Sequence, residues 1–286
     1  MRSRFALLIA PAALLLVAFF LLPLYQLLWV STLPSQSAVL AADPPHTLAM
    51  YTRILHDNFY LTMAVNSITV GLCTTLATLL VGYPVAFYLT RARGYERTLI
   101  SVACLLPIFV NLIVGILGWY ILLLPFGVVQ QVFAALGWMK GPLLVLRTYP
   151  ALVAVLTYEH VPFAVLILVA SLQAIPPDKI NAARMLGASV PRIVRTIIVP
   201  LTMPGLVATA ILVFSLSTSS YLTPILIGGQ GMAVLPLAIF SYGTELLNWP
   251  LAAALSFVLL LLVGGIAYGF AAAMNRLTRR GAWELV

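Results

Sequence analysis

The sequence predicts an all-α membrane protein with six transmembrane helices, and three observations carry that prediction. Of the 286 residues, 63% are hydrophobic and only 8% charged, against roughly 45–50% and about 25% in an ordinary soluble domain. Six runs are nearly free of charge, each at least the length of about 20 residues that hydrocarbon about 30 Å thick requires at a 1.5 Å rise. The basic residues concentrate in alternate connections, as they do in multi-pass proteins. A mean hydropathy of +1.09, with 19 Pro and 18 Gly, excludes a disordered chain, a coiled coil and a disulfide scaffold. It leaves little chain for a soluble catalytic domain.

The first run, Phe5 to Val30, follows Arg2 and Arg4 as the core of a signal peptide would. Its apolar stretch exceeds the about 7–15 residues of such a core, and Trp29 sits where an interfacial anchor belongs, so it reads as a span. The second and third runs, Leu61 to Leu89 and Leu99 to Leu124, form a hairpin joined by residues 90–98. The fourth, fifth and sixth are Tyr149 to Leu172, Leu201 to Ile227 and Trp249 to Met274. Pro84, Pro107 and Pro162 fall within spans, where a missing N–H kinks a helix or frees a carbonyl. Cys73 and Cys104 lie in apolar runs and read as small buried residues. In the hairpin they differ in depth by roughly 16 Å, beyond the about 7 Å that a disulfide allows.

Counting Lys and Arg fixes the orientation. Twelve fall in one set of segments: Arg2, Arg4, Arg91, Arg93, Arg97, Lys179, Arg184, Arg192, Arg195, Arg276, Arg279 and Arg280. The other set holds three: Arg53, Lys140 and Arg147. Both termini are therefore cytoplasmic, and residues 31–60, 125–148 and 228–248 face outward. The net charge of +8 is accounted for as a topology signal, with no nucleic-acid partner. Trp29, Trp119, Tyr120, Tyr149 and Trp249 fall near outer span ends, as an aromatic belt would. Between 127 and 137, Val128, Val132 and Leu136 recur every four residues beside Val129 and Phe133, and Gly137 follows as a stop. This predicts a short outer helix, read either as a docking surface or as an interfacial helix capping the bundle. Asp43, His46, His56 and Asp57 in the first outer loop fit no metal-site spacing.

The longest inner connection, residues 173–200, reads QAIPPDKINAARMLGASVPRIVRTIIVP. Pro176 and Pro177 end the fourth span and set up a short helix whose small apolar face is Ile180, Ala183, Leu186 and Gly187. Ser189, Pro191 and Arg192 predict a second short helix running to Pro200. A small-residue face on a cytoplasmic loop suits insertion into another protein's groove.

These residues carry a resemblance. Asn181-Ala182-Ala183, then Gly187, then Ile197 and Val199-Pro200 match the EAA pattern, E-A-A-x3-G-x9-I-x-L-P, of the permease subunits of ABC importers. Ala182, Ala183, Gly187, Ile197 and Pro200 coincide with the pattern, while Asn181 replaces its Glu and Val199 its Leu. The segments FSLSTSSYLTPILIGG at 214–229 and NWPLAAALS at 248–256 resemble the first permease subunits of polyamine (spermidine/putrescine) importers. Similar permeases serve ferric iron, phosphonates, opines or amino-acid-like solutes.

The resemblance implies a type I ABC importer permease fold in a bacterial inner membrane. It also implies a docking loop at about 176–200 for the cytoplasmic ATPase. The expected partners are a second permease chain, making a heterodimer, together with two ATPase subunits that hold ATP and Mg, and a periplasmic binding protein. This chain itself is expected to be no enzyme and to hold no cofactor or metal. Independently, no G-x-x-x-x-G-K-[ST] occurs and the only lysines are Lys140 and Lys179, so no P-loop is present. The expected organisation is an N-terminal helix and outer loop at 1–61, a permease core at 62–275 and a basic tail at 276–286. The competing reading is a carrier or channel working without ATP, which predicts several intramembrane charges or an inverted repeat.

Candidate residues for a translocation path are the polar ones at bilayer depth. Glu159 and His160 lie near the middle of the fourth span, where an ionisable group costs at least about 2.5–3.5 kcal/mol and usually faces a cavity or a partner. An internal hydrogen bond to a neighbouring helix is the alternative. In the fifth span, which lines the path in the family resembled, Ser215 and Ser219 share a face within a polar strip that also holds Tyr221 and Thr223. Hydroxyls bonded back to their own helix are the alternative there. Asn66 and Asn111 are weaker candidates, suited equally to bonds between helices.

Overall fold

The computed structural model describes residues 2–41, 43–137, 142, 144–229 and 232–281. Lys140 and residues 282–286 of the basic tail lie outside the described residues, as do the side chains of Arg2, Arg4, Arg276, Arg279 and Arg280. The described residues form twelve α-helices and no strand. Six stretches are long and apolar enough to cross a membrane.

The chain divides into two compact units, one of residues 1–64 and 235–261, the other of residues 65–234 and 262–286. In the first unit, α1 (Arg2–Ser31) leads through a 3-10 turn (Gln36–Leu40) to α2 (Ala49–His56) and the first turns of α3 (Asn58–Leu89). Ser31 and Tyr51 share a hydrogen bond of 2.7 Å, and Tyr60 meets Tyr242 at 3.1 Å. Tyr242 lies in a π-helical turn (Ser241–Glu245) between α11 (Leu235–Phe240) and α12 (Trp249–Gly281). His46 is held by the Thr32 hydroxyl at 2.6 Å and by the edge of Trp29, and the Asp57 carboxylate accepts from Phe59 N.

The second unit is organised around α7 (Tyr149–Gln173), which starts at Thr148, whose hydroxyl accepts from Ala151 N, and at Pro150 in the first turn. Leu152, Val155, Leu156, Ala164 and Leu168 on α7 are fully buried. Its neighbours come close because glycine lacks a side chain. A Cβ at Gly205 of α10 (Val199–Ser219) would collide with Ser171 of α7. One at Gly71 of α3 would collide with Thr218 and Phe214 of α10, and one at Gly82 would sit 3.3 Å from Ala164 of α7. Small-residue contacts of this kind hold helices together in lipid, where the hydrophobic effect gives them no drive to associate.

Two spans depart from the expected single helices. The third crossing is α4 (Gly94–Phe109) followed by α5 (Leu112–Leu123), broken at extended Val110. Pro107 withholds a backbone donor in the last turn of α4, and the Asn111 side chain restarts the helix by accepting from Ile113 N at 3.0 Å and Val114 N at 3.4 Å. The apolar stretch Leu112–Ala135 is likewise not one helix, since Phe126 takes a φ of +67° before α6 (Val128–Ala135). α6 matches the expected short outer helix, with Val128, Val132 and Leu136 exposed and Gly137 at a φ of +72° past its end.

The fifth span begins at Val190, on the cytoplasmic side: α9 (Val190–Ile193) runs through a π-helical stretch (Val194–Ile198) into α10 without interruption. The expected separate second loop helix is therefore the start of the span. At the other end α10 stops at Ser219, with Ser220 extended, so the span does not run unbroken to Ile227. Cys73 is exposed and Cys104 half-buried, contrary to the reading of both as buried, and both thiols are free. In a bilayer an apolar position is satisfied by lipid as well as by protein, so an apolar run does not imply burial.

Candidate functional site

The two broken spans meet at one place. The α4–α5 break, the middle of α7 and the end of α10 enclose a cavity of about 660 Å³. Pro107 and Asn111 line it from the first break, Ser219 and Tyr221 from the second, and Tyr158, Glu159 and His160 from α7. Non-helical backbone at membrane depth is tolerated where it borders a cavity, and discontinuous helices mark solute sites in many transporters.

Glu159 supplies the cavity's carboxylate. It is half-buried, and the fully buried Thr223 hydroxyl donates to its two oxygens at 3.0 and 3.2 Å. Thr223 lies just past the α10 break, ahead of a π-helical turn (Pro224–Gly228), so the break is what brings this hydroxyl to α7. His160 is 6% exposed, and its Nδ1 sits 2.5 Å from the Leu156 carbonyl. A carbonyl only accepts, so Nδ1 carries hydrogen, and in the neutral form of the ring Nε2 is an acceptor. Trp119 of α5 packs edge-on to Tyr158 at 5.3 Å.

The remaining path candidates separate. Ser215 and Ser219 both line the cavity, Ser215 with its hydroxyl bonded back to the Ile211 carbonyl at 2.8 Å. Tyr221 lines it as well. Asn111 borders it, with its carboxamide oxygen committed to the α5 cap. Asn66 lies away from the lining and donates to the Ala233 carbonyl at 3.0 Å. Ser217 and Thr218, two further hydroxyls of the span, are buried, with no hydrogen-bond partner among the described residues for either hydroxyl. The hydrogen bond offered as the alternative for Glu159 is present, and sequence reasoning missed only its donor, Thr223, together with Tyr158 and Pro107. Glu159 and Thr223 are 64 residues apart, and no local pattern links them.

The second feature is the cytoplasmic loop. α8 (Pro177–Met185) ends in a Schellman cap: Ala188 N donates to the Ala183 carbonyl at 3.0 Å and Gly187 N to the Arg184 carbonyl at 2.9 Å. Gly187 takes the left-handed φ of +77° that this cap needs. The expected single face of Ile180, Ala183, Leu186 and Gly187 is divided. Ile180, Ala183 and Ala188 pack on the core cluster of Leu168, Leu172 and Ile193, whereas Leu186 at 88% and Met185 at 89% are exposed. The cap turns the chain at Leu186, so its side chain leaves the face set by Ile180 and Ala183. Asn181, Ala182, Gly187 and Pro200 are exposed, and Ile197 packs inward. Beside the loop, Arg91 stacks 3.5 Å above the Phe87 ring, and burial and then the repulsion of Arg184 lower its pKa. Two cations, Arg91 and Arg184, are therefore near enough at the loop edge to repel one another.

Residues 75–280 match the family described as binding-protein-dependent transport system inner membrane component. The chain belongs to this family. The match takes in α7, both broken spans and the cytoplasmic loop, so the cavity and the capped helix α8 are features of an ABC importer permease subunit of the inner membrane. The permease is 31% identical over 249 residues, 87% of its own chain and 90% of the other, to the spermidine/putrescine transport system permease protein PotB of Escherichia coli (strain K12). To PotB of Haemophilus influenzae (strain ATCC 51907 / DSM 11121 / KW20 / Rd) it is 28% identical over 93% of its length and 92% of that protein's. Its fold matches a chain of a bacterial ABC transporter involved in the import of the acidic polysaccharide alginate, at a TM-score of 0.75, 17% identity and coverage of 96% and 97%. A second match is the MetNI methionine ABC transporter in an inward-facing conformation, at a TM-score of 0.55, 18% identity and coverage of 77% and 94%.

Proposed function

We propose that this permease admits polyamine-like cations through the cavity at Glu159, driven by ATP hydrolysis on separate subunits. The observation that carries the reading is a carboxylate in a mostly apolar cavity, satisfied among the described residues by one neutral donor, Thr223. A carboxylate so placed attracts a cation, and the relatives named for spermidine and putrescine point to an amine as that cation. Ser215, Ser219 and Tyr221 supply a weakly polar wall, and His160 an acceptor. Asn66 and Asn111 take structural roles, a tie and a cap.

The loop supplies the coupling. Asn181, Ala182 and Gly187, with the protruding Met185 and Leu186, form the surface that seats in a cleft of each ATPase. Ala183, Ile197 and Pro200 join that surface to the core and to α10. Closure of an ATPase pair displaces α8, moves the continuous helix from Val190 to Ser219 against α7, and opens the cavity to a docked periplasmic binding protein. Hydrolysis returns it inward. A second permease chain completes the pathway as a heterodimer, and the ATPases hold the ATP and Mg. The organisation proposed for the chain remains an N-terminal helix and outer loop at 1–61, a core at 62–275 and a tail from 276.

The test is uptake by the reconstituted complex with Glu159→Gln. Hydrogen bonds to charged groups are worth about 1.5–3 kcal/mol, so spermidine uptake at low concentration falls roughly tenfold or more, while an ATPase still co-purifies. Unchanged spermidine uptake would remove Glu159 from the path.

A further inference from the structure

On its cytoplasmic half the second unit carries a groove unconnected with the pathway. It runs between α4 and α7, holds about 80 Å³, and is lined by Arg97, Ser101, Cys104 and Leu105 of α4 and by Val165 and Val169 of α7. From Arg97 to Leu105 the α4 wall descends about 12 Å at 1.5 Å per residue, from the first turn of the helix toward the bilayer interior. A cation and a hydroxyl sit at the shallow end and an apolar floor at the deep end, the polarity of an amphiphile. Arg97 is exposed, and no carboxylate among the described residues pairs with it. Its neighbour Glu96 accepts instead from the Tyr88 hydroxyl at 3.1 Å.

We infer that this groove binds an anionic phospholipid of the cytoplasmic leaflet, its phosphate on Arg97 and Ser101 and the start of an acyl chain along Cys104, Leu105 and Val169. Charge complementarity selects this occupant. The cytoplasmic leaflet is negatively charged, and basic pockets between transmembrane helices on that side take anionic head groups. Arg91 and Arg93 on the same connection reinforce the attraction. A second membrane chain lying there would have to bring its own carboxylate to Arg97, whereas the leaflet supplies the anion with the acyl chain. The inference requires only that the chain be embedded in a bilayer, so it stands or falls independently of the solute.

Cys104, half-buried in the groove wall, reports on occupancy. In the assembled complex with Cys73→Ala, alkylation of Cys104 by N-ethylmaleimide is followed in phosphatidylcholine vesicles with and without phosphatidylglycerol. The phosphatidylglycerol slows alkylation roughly fivefold, the effect of about 1 kcal/mol per basic residue near the surface. Arg97→Gln abolishes the protection, Arg97→Lys keeps it, and inorganic phosphate added to phosphatidylcholine vesicles gives none. Native mass spectrometry of the same complexes finds phosphatidylglycerol retained by wild type and Arg97→Lys and lost by Arg97→Gln. A rate independent of head group, a Cys104 unreactive in every vesicle, or equal retention by Arg97→Gln would each overturn the inference.

Discussion

Gly187 shows how one residue sets the shape of the cytoplasmic surface. Its φ of +77° closes the cap on α8, and a Cβ there would meet nothing within 4 Å. Within this chain the penalty of substitution is therefore conformational: an L-residue in the left-handed region costs about 1–2 kcal/mol. Gly187→Ala lowers ATPase recovery in a pull-down and ATP-dependent uptake together. Gly187→Asn, a residue that tolerates this conformation, retains more of both. Equal behaviour of the two variants would show that the cap is not what the ATPase reads. At this scale the motif residues were legible in the sequence, but not their division between inward Ala183 and outward Leu186, because a helical wheel does not anticipate where a cap turns the chain.

Among the elements, α7 is the post against which α3 and α10 pack through glycines. Gly205 meets Ser171 so closely that any Cβ forces the helices apart. Gly205→Val overpacks this contact, at a cost of about 1–3 kcal/mol, and lowers the melting temperature of the purified complex. Gly118→Ala on α5, where a Cβ meets nothing within 4 Å, leaves it unchanged. Similar melting of the two variants would refute the close-packing account. Four of the six spans could be read from hydropathy and length. The third and fifth could not be read as broken, because an apolar run is blind to backbone angles, although Pro107 with Asn111 and Ser220 with Pro224 carried the signals. Those two breaks make the cavity.

At the scale of the whole molecule, the asymmetry of twelve basic residues against three makes the sidedness legible, placing the α8 loop on the cytoplasmic side. What the sequence did not show is that the break after α10 would bring Thr223 to Glu159, 64 residues away, since only folding brings them near. The central claim is that this chain is the conduit, and that energy reaches it through the α8 loop from another subunit. The most direct test is uptake of labelled spermidine into proteoliposomes by this permease, reconstituted with its co-purifying subunits and binding protein, with ATP present or withheld. The account predicts accumulation only with ATP, lost in Gly187→Asp, which sets a charge on the surface that seats in the ATPase. Accumulation by the isolated chain without ATP would contradict it.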